Sequence, residues 1–217
     1  MKKPGRSKRE EIIKKVEEYV QGYMADDLHH DYWHAKRVAR YAVQIAREEG
    51  ADEYIVELAA LLHDIGKRFE KEEGRSHTII GSEIVRRVLG EFGVDDETID
   101  RVLECVKSHS RISSRRKPES LEAEVIYDAD GLDMVGAVGL LRAALSAVMK
   151  GGGWEHVVRK IKWRLELLND FKTEAGKRIS AERARLVISF ADQLFRELRQ
   201  GSLAVDHQDL LHVNSLT

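Results

Sequence analysis

Apolar residues recur every three or four positions along nearly the whole chain, which is the spacing of amphipathic helices. No segment alternates apolar and polar residues over a strand length, so the pattern predicts an all-α, single-domain helical bundle. Apolar faces run from Ile12 to Tyr23 and from Val38 to Ala46, and a third helix runs from an N-cap at Asp52 to Leu62 and ends at Gly66. Further helices are predicted over 78–91, 96–108, 121–130, 136–149, 154–170 and 181–199.

Composition limits the classes of partner. Hydrophobic residues make up 42% of the chain and charged residues 34%, which is typical of a folded globular protein. The formal charge of -2 gives no general attraction to nucleic acid or to an anionic membrane. Cys105 is the single cysteine, so no internal disulfide can form, and no apolar run is long enough to span a membrane. We therefore expect a cytoplasmic protein with no membrane partner and no specific nucleic-acid partner.

The stretch "LAALLHDIGKRF" places His63 and Asp64 where an apolar helix stops. Neighbouring positions inside a helix point about 100° apart, so the two side chains can converge only near a helix end. Imidazole together with carboxylate suits Mn, Fe, Co, Ni or Zn better than Ca or Mg, which prefer oxygen alone. Two ligands are too few for a stable site, so other residues must complete it.

Other histidines and aspartates stand at predicted helix ends. His34 opens the second helix, His77 opens the fourth and His109 follows the fifth, while "IYDADGLD" supplies Asp128, Asp130 and Asp133. Side chains at the ends of separate helices can meet around one cleft. Any one of these histidines alone is more simply a surface or capping residue, but their combination with the His-Asp pair favours a metal site.

The order of His34, "LLHDIGK" and "YDADGLD" resembles the HD-domain superfamily of metal-dependent phosphohydrolases, whose ligand signature is H…HD…D. The resemblance implies that His34, His63, Asp64 and Asp130 hold one divalent transition metal ion (Mn, Fe, Co, Ni or Zn). It also implies an HD-type bundle with an N-terminal helix (1–22), a metal-binding core (23–150), C-terminal helices of the same domain (151–200) and a tail (201–217).

The sequence leaves two candidates for the aspartate that is the fourth metal ligand. The resemblance places the fourth ligand at Asp130, with Asp128 as the alternative; on a helix these two point about 200° apart, so one of them faces the ion. Asp133 lies one turn beyond Asp130 and is better placed to accept a hydrogen bond from a ligand histidine, or to be a plain surface carboxylate.

His77 and His109 have two interpretations. In two-metal members of the superfamily, two extra histidines lie between the HD pair and the last Asp, so a second ion could bind here. In a one-metal enzyme they would contact phosphate or act as acid and base, because histidine titrates near neutral pH. We rank the second interpretation first, with Asp64 or Asp133 as the base and Lys67 offsetting phosphate charge.

The expected function is hydrolysis of a nucleotide or another small phosphate ester by a metal-activated water, and manganese is one suitable ion. Two alternatives remain: a di-iron oxygenase of the same superfamily, and a regulatory metal-binding module without catalysis. A homodimer is also compatible with the apolar stripes of the helices.

Overall fold

A computed structural model describes residues 5–24, 32–111 and 116–200. The described residues form ten helices and no strand, which confirms the all-α prediction. The predicted tail, 201–217, lies outside the described residues. The helices are α1 (Arg6–Tyr23), α2 (Tyr32–Glu49), α3 (Glu53–Leu62), α4 (Lys67–Glu73), α5 (His77–Glu91), α6 (Asp96–Ser108), α7 (Leu121–Met134), α8 (Ala137–Met149), α9 (Trp154–Leu167) and α10 (Glu174–Gln200).

The chain forms two compact units, Met1–Asp130 and Gly131–Thr217, and the division between them falls within the sequence of α7. The predicted segment boundaries at 22 and 150 fall next to the ends of α1 and α8. As domain boundaries they stay predictions.

The core of the first unit is built around α3, which packs against α1, α2 and α6. Eight of the ten residues of this helix are buried, and an α-helix that is apolar nearly all round is typical of a central position. Asp52 caps the helix as predicted, because its side chain accepts a hydrogen bond from the backbone N–H of Tyr54 at 3.1 Å. The most buried helix of this unit therefore leads directly to His63.

Helix α4 is absent from the prediction. Its sequence, KRFEKEE, has no buried residue and thus no apolar periodicity to reveal it. The helix ends at Gly74, whose φ of 64° lies in the left-handed region that favours glycine. Gly66, predicted to terminate α3, instead precedes α4 with a φ of -82°.

In the second unit, α8 packs against α9, and α10 packs against both. Gly136 makes the turn from α7 to α8 with a φ of 92°, a conformation that side chains other than glycine rarely adopt. A β-carbon on Gly139 would lie 2.0 Å from the carbonyl oxygen of Met134, so this turn requires two glycines for two different reasons.

No single described helix is both long and apolar enough to cross a membrane, although α7 and α8 reach that length and composition when taken together as a bent pair.

Candidate metal centre

Four predicted ligands meet at one buried place in the first unit. His34 lies on α2 and Asp130 on α7, while His63 and Asp64 follow α3. The Nε2 atom of His34 lies 3.2 Å from Nε2 of His63 and 3.5 Å from Oδ1 of Asp130. The Oδ2 atom of Asp64 lies 3.7 Å from Nε2 of His34 and 3.6 Å from Nε2 of His63. All four side chains are buried, so the structure brings together residues that are far apart in sequence.

The convergence of His63 and Asp64 depends on the end of α3. The regular helix stops at Leu62, and the next residues form turns in which Ile65 N–H donates to Leu62 O and Lys67 N–H donates to Asp64 O. Two adjacent side chains that would diverge inside a helix can therefore face a common point.

Asp64 also faces a second pair of histidines through its other oxygen. Its Oδ1 atom lies 3.5 Å from Nε2 of His77 and 3.5 Å from Nε2 of His109. His77 is the first residue of α5, and His109 directly follows α6. One carboxylate thus stands between two histidine pairs, with one oxygen directed to each.

Hydrogen bonds fix the ring orientation of three of these histidines. The Nδ1 atom of His63 lies 2.7 Å from Ala60 O, and that of His109 lies 2.7 Å from Val106 O. A carbonyl oxygen can only accept, so Nδ1 must carry the proton in both rings. The Nδ1 atom of His77 lies 2.9 Å from Oε1 of Glu70, which is likewise an acceptor. In the neutral rings, Nε2 then presents a lone pair to the cluster.

Burial sets the protonation of the cluster. Burial lowers the pKa of His63 to about 4 and also lowers the pKa of His77 below its ordinary value. Burial acts in the same direction on His109, but the hydrogen bond and charge of Asp64 outweigh it and raise the pKa of that ring. His63 and His77 are therefore neutral near pH 7, which is the form that binds metal.

These residues fit a divalent transition metal ion. Two groups of ligand atoms, from His34, His63 and Asp130 and from His63, Asp64 and His109, each lie within 4.8 Å of one another. Ligands about 2.1 Å from a common ion lie roughly 3.0–3.4 Å apart, close to the shorter separations observed. Buried lone pairs and carboxylates facing one another are unfavourable without a positive charge between them. In addition, Nε2 of His77 is buried and has no hydrogen-bond partner among the described residues.

Three other predicted site residues have contacts or positions of their own. Asp128 is buried on the same helix as Asp130, but among the described residues it belongs to neither group of converging ligands. Asp133 accepts a hydrogen bond from the buried Arg142 at 2.6 Å, and its predicted support of a ligand histidine stays a prediction. Lys67 lies 3.3 Å from Oε2 of Glu70, and its contact with phosphate also stays a prediction.

Glu70 is the residue that sequence analysis missed. It lies on α4, the helix without apolar periodicity, and its spacing from His77 has no metal-site signature. Burial alone would raise its pKa, but the hydrogen bond from His77 and the charge of Lys67 outweigh burial and hold the pKa at about 2. Glu70 is therefore an ionised acceptor at neutral pH.

A cleft of about 1120 Å³ lies along α5 and α6 in the first unit, and neither His77 nor His109 is among its lining residues. Its lining includes Ser76 and Thr78, which stand on either side of His77, and Lys107, two residues before His109. The remaining lining residues are one carboxylate, three arginines and three others: Glu83, Arg86, Arg87, Arg116, Ile79, Ser82 and Leu103. The cleft is large enough for a nucleotide and carries more positive than negative side chains.

Comparison with known proteins identifies the family to which the chain is similar. A family model described as HD domain matches residues 32–135. YpgQ of Bacillus subtilis is 31% identical over 195 residues, which cover 84% of this chain and 92% of YpgQ. The crystal structure of YpgQ in complex with ADP matches with a TM-score of 0.70 and 30% identity, covering 85% of this chain and 97% of that one.

Two further relatives indicate the range of similar proteins. The crystal structure of a protein described as a predicted HD superfamily hydrolase, from an uncultured Thermotogales bacterium, matches with a TM-score of 0.62 and 29% identity, covering 87% of this chain and 92% of that one. Ribonuclease Y of Aquifex aeolicus is 32% identical over 147 residues, which are 67% of this chain but 24% of that larger protein.

Proposed function

This chain belongs to the HD-domain family, and on that premise we propose that it is a metal-dependent phosphohydrolase acting on a nucleotide or another small phosphate ester. The observation that carries the proposal is the convergence of His34, His63, Asp64 and Asp130 at one buried point, with the Nε2 atoms and carboxylate oxygens 3.2–4.0 Å apart. These four residues would hold one divalent ion.

The chemistry that such an ion supplies when bound is a lower pKa for a water molecule and withdrawal of charge from phosphoryl oxygens. The residues of the chain would position the ion, the water molecule and the phosphoryl group. Burial of the cluster excludes bulk water, which strengthens every charge interaction inside it. Asp64, through the oxygen not directed to His34 and His63, can hold or accept a proton near the second pair, His77 and His109.

A nucleotide is the preferred substrate for two reasons. A similar protein, YpgQ, was crystallised in complex with ADP. The cleft along α5 and α6, whose lining includes Ser76 and Thr78, the sequence neighbours of His77, is large enough for a nucleotide and carries more basic than acidic side chains. Lys67 would offset phosphate charge as a mobile cation. The similarity to ribonuclease Y supports a second candidate, cleavage of a phosphodiester in RNA.

The decisive experiment is an activity screen. Nucleoside mono-, di- and triphosphates, cyclic dinucleotides and a short RNA are each incubated with Mn²⁺, Co²⁺, Ni²⁺, Mg²⁺ or Zn²⁺, and the product identifies the bond that is cut. We expect metal-dependent hydrolysis of a free nucleotide. Cleavage of RNA alone would replace the preferred substrate by the second candidate.

Variants connect the activity to the cluster. His63→Ala and Asp64→Ala are expected to abolish both metal retention and hydrolysis, with helical content nearly unchanged. His156→Ala is the matched control, because this histidine is exposed on α9. Full activity of either cluster variant, or a purified protein that cannot acquire an ion, would overturn the proposal.

The oxygenase alternative needs His77 and His109 as ligands of a second ion. Both histidines face Oδ1 of Asp64, so the number of bound ions tests this alternative. Two bound irons per chain, colour and oxygen consumption would favour that alternative. Retention of metal without turnover of any compound in the screen would favour the regulatory module.

A further inference from the structure

The three histidines with a defined proton on Nδ1 are held in two different ways. His63 and His109 each follow the C-terminal end of a helix, so a carbonyl three residues earlier is available as the acceptor. His77 is the first residue of α5 and has no preceding helical carbonyl. Its ring therefore needs an acceptor from another segment, and Glu70 on α4 supplies it.

Several contacts hold the carboxylate of Glu70 against His77. Its Oε1 atom accepts from Nδ1 of His77 at 2.9 Å and from the backbone N–H of the same residue at 3.3 Å. Its Oε2 atom accepts from Nζ of Lys67 at 3.3 Å. One carboxylate thus binds both the ring and the backbone of the residue that begins α5.

The backbone holds α4 at the distance that these contacts need. A β-carbon on Gly66 would lie 2.3 Å from the carbonyl oxygen of His77 and 2.6 Å from the backbone nitrogen of Gly81. The residue before α4 therefore packs directly on the first turn of α5, and a larger residue would separate the two helices. The position of Glu70 follows from this close packing.

We propose that Glu70 is a positioning residue that keeps the proton of His77 on Nδ1, so that Nε2 faces Asp64 as a lone pair. This inference extends the proposed function, and the catalytic consequence of the position of Glu70 rests on that function. His77 in this form cannot donate a proton to a substrate. It is an acceptor in the second half of the site, and its Nε2 atom lies 3.5 Å from Oδ1 of Asp64, so that two acceptors face each other and a shared cation would satisfy both. The structure therefore favours cation binding by His77 over the general-acid role ranked first from the sequence.

The test reads the tautomer directly in the metal-free protein. Nitrogen-15 NMR of the histidine rings distinguishes a protonated from an unprotonated ring nitrogen. In the wild type we expect His77 to be protonated on Nδ1 and unprotonated on Nε2. Glu70→Ala should yield a mixture of both tautomers, whereas Glu70→Gln should retain the wild-type tautomer, because the amide oxygen still accepts from Nδ1.

Two controls separate this effect from general damage. Glu73→Ala removes another carboxylate of α4, one that pairs with Arg75 at the surface, and should leave His77 unchanged. The ring of His63 is held by Ala60 O and should keep its tautomer in every variant. A shift of the His63 signals in Glu70→Ala would point to a structural role and overturn the assignment.

Metal binding provides the second readout. Equilibrium dialysis with Mn²⁺ should show that Glu70→Ala weakens binding about 10- to 100-fold, the usual effect of removing a hydrogen-bond partner from a ligand histidine. Glu70→Gln should recover most of the affinity. A wild-type His77 protonated on Nε2, or equal tautomers and equal Mn²⁺ binding in all variants, would overturn the inference. The failure of the hydrolase proposal would appear instead as an intact tautomer and intact metal binding without hydrolysis of any substrate.

Discussion

Asp64 connects the two halves of the cluster, because each of its carboxylate oxygens faces a different pair of histidines. Asp64→Asn keeps the side-chain volume but removes the charge and converts one oxygen into a donor. We expect Mn²⁺ at about 100 times its Kd to stabilise the wild type by about 2.7 kcal/mol and the variant hardly at all. Thermal unfolding with and without Mn²⁺ measures the difference.

Asp100→Asn is the control for this experiment. Its carboxylate is exposed and pairs with Arg86 at the surface. This variant should retain the full stabilisation by Mn²⁺. Equal stabilisation of the wild type and Asp64→Asn would contradict a role for Asp64 in holding the ion.

Gly66 is required by close packing and not by its backbone angles, because its φ of -82° suits any residue. A β-carbon at this position would meet backbone atoms of α5, which cannot rotate away. We expect Gly66→Ala to lower the free energy of unfolding by roughly 1–3 kcal/mol, as other overpacked sites do. Urea denaturation provides the measurement.

Gly90→Ala is the matched control, since this glycine lies in α5 with open space around its α-carbon. Alanine there should stabilise the protein by up to about 1 kcal/mol through helix propensity. If both variants had the same stability, the packing explanation for Gly66 would be wrong.

At the scale of the helices, the sequence predicts those elements whose apolar face is continuous. The bounds of α6 match the prediction, because its apolar residues recur regularly and Asp95 caps it by accepting from the backbone N–H of Thr98. Helix α4 was missed because nothing in it is buried. Helix α10 begins seven residues earlier than predicted: Gly176 weakens the helical signal, while Thr173 supplies a cap that periodicity does not show.

Helix α6 also places Cys105 on its buried face, and burial raises the pKa of this thiol far above its ordinary value. The thiolate is the reactive form, so a thiol reagent at pH 8 should modify Cys105 only when the protein unfolds. Modification followed against urea concentration should track the unfolding transition. Reaction in the native protein at the rate of a free thiol would show that the residue is accessible.

The same burial predicts how stability depends on pH. The unfolded thiol ionises near pH 8.5, whereas the folded thiol does not. The unfolded state therefore releases a proton first, and Cys105 lowers the stability as the pH rises above that value, by up to about 1.4 kcal/mol per pH unit. Below pH 8 the contribution is constant. In Cys105→Ala this alkaline decline should be reduced by the same amount, as urea denaturation across pH 7–10 would show.

At the scale of the whole molecule, the order of histidines and aspartates in the sequence could identify candidate ligands but not their pairing. His34 and Asp130 are almost one hundred residues apart, and their approach to 3.5 Å is set by the packing of the first unit around α3. Tertiary packing also sets which oxygen of Asp64 faces which pair of histidines. It likewise brings Glu70 within hydrogen-bond distance of His77. Local sequence patterns carry no information about these contacts.

An exposed apolar stripe on α8 supports the prediction that two copies of the chain associate. Val138, Leu141, Leu145 and Val148 follow one another at helical spacing and are 42%, 67%, 41% and 67% exposed. Along α8, all of whose residues the structure describes, the one charged side chain is the buried Arg142. A charge-free stripe of this kind can pair with its own copy about a two-fold axis without opposing like charges.

We therefore expect the wild type to sediment as a dimer at micromolar concentration and Leu141→Glu to sediment as a monomer, because pairing would bury two unpaired carboxylates. Ile79→Glu is the control: this residue is 53% exposed and lies on another helix, α5, so a dimer that pairs through α8 should stay intact. Sedimentation velocity over a range of concentrations distinguishes the three proteins. A monomeric wild type, or a dimer that persists in Leu141→Glu, would show that α8 is not the surface through which the copies pair.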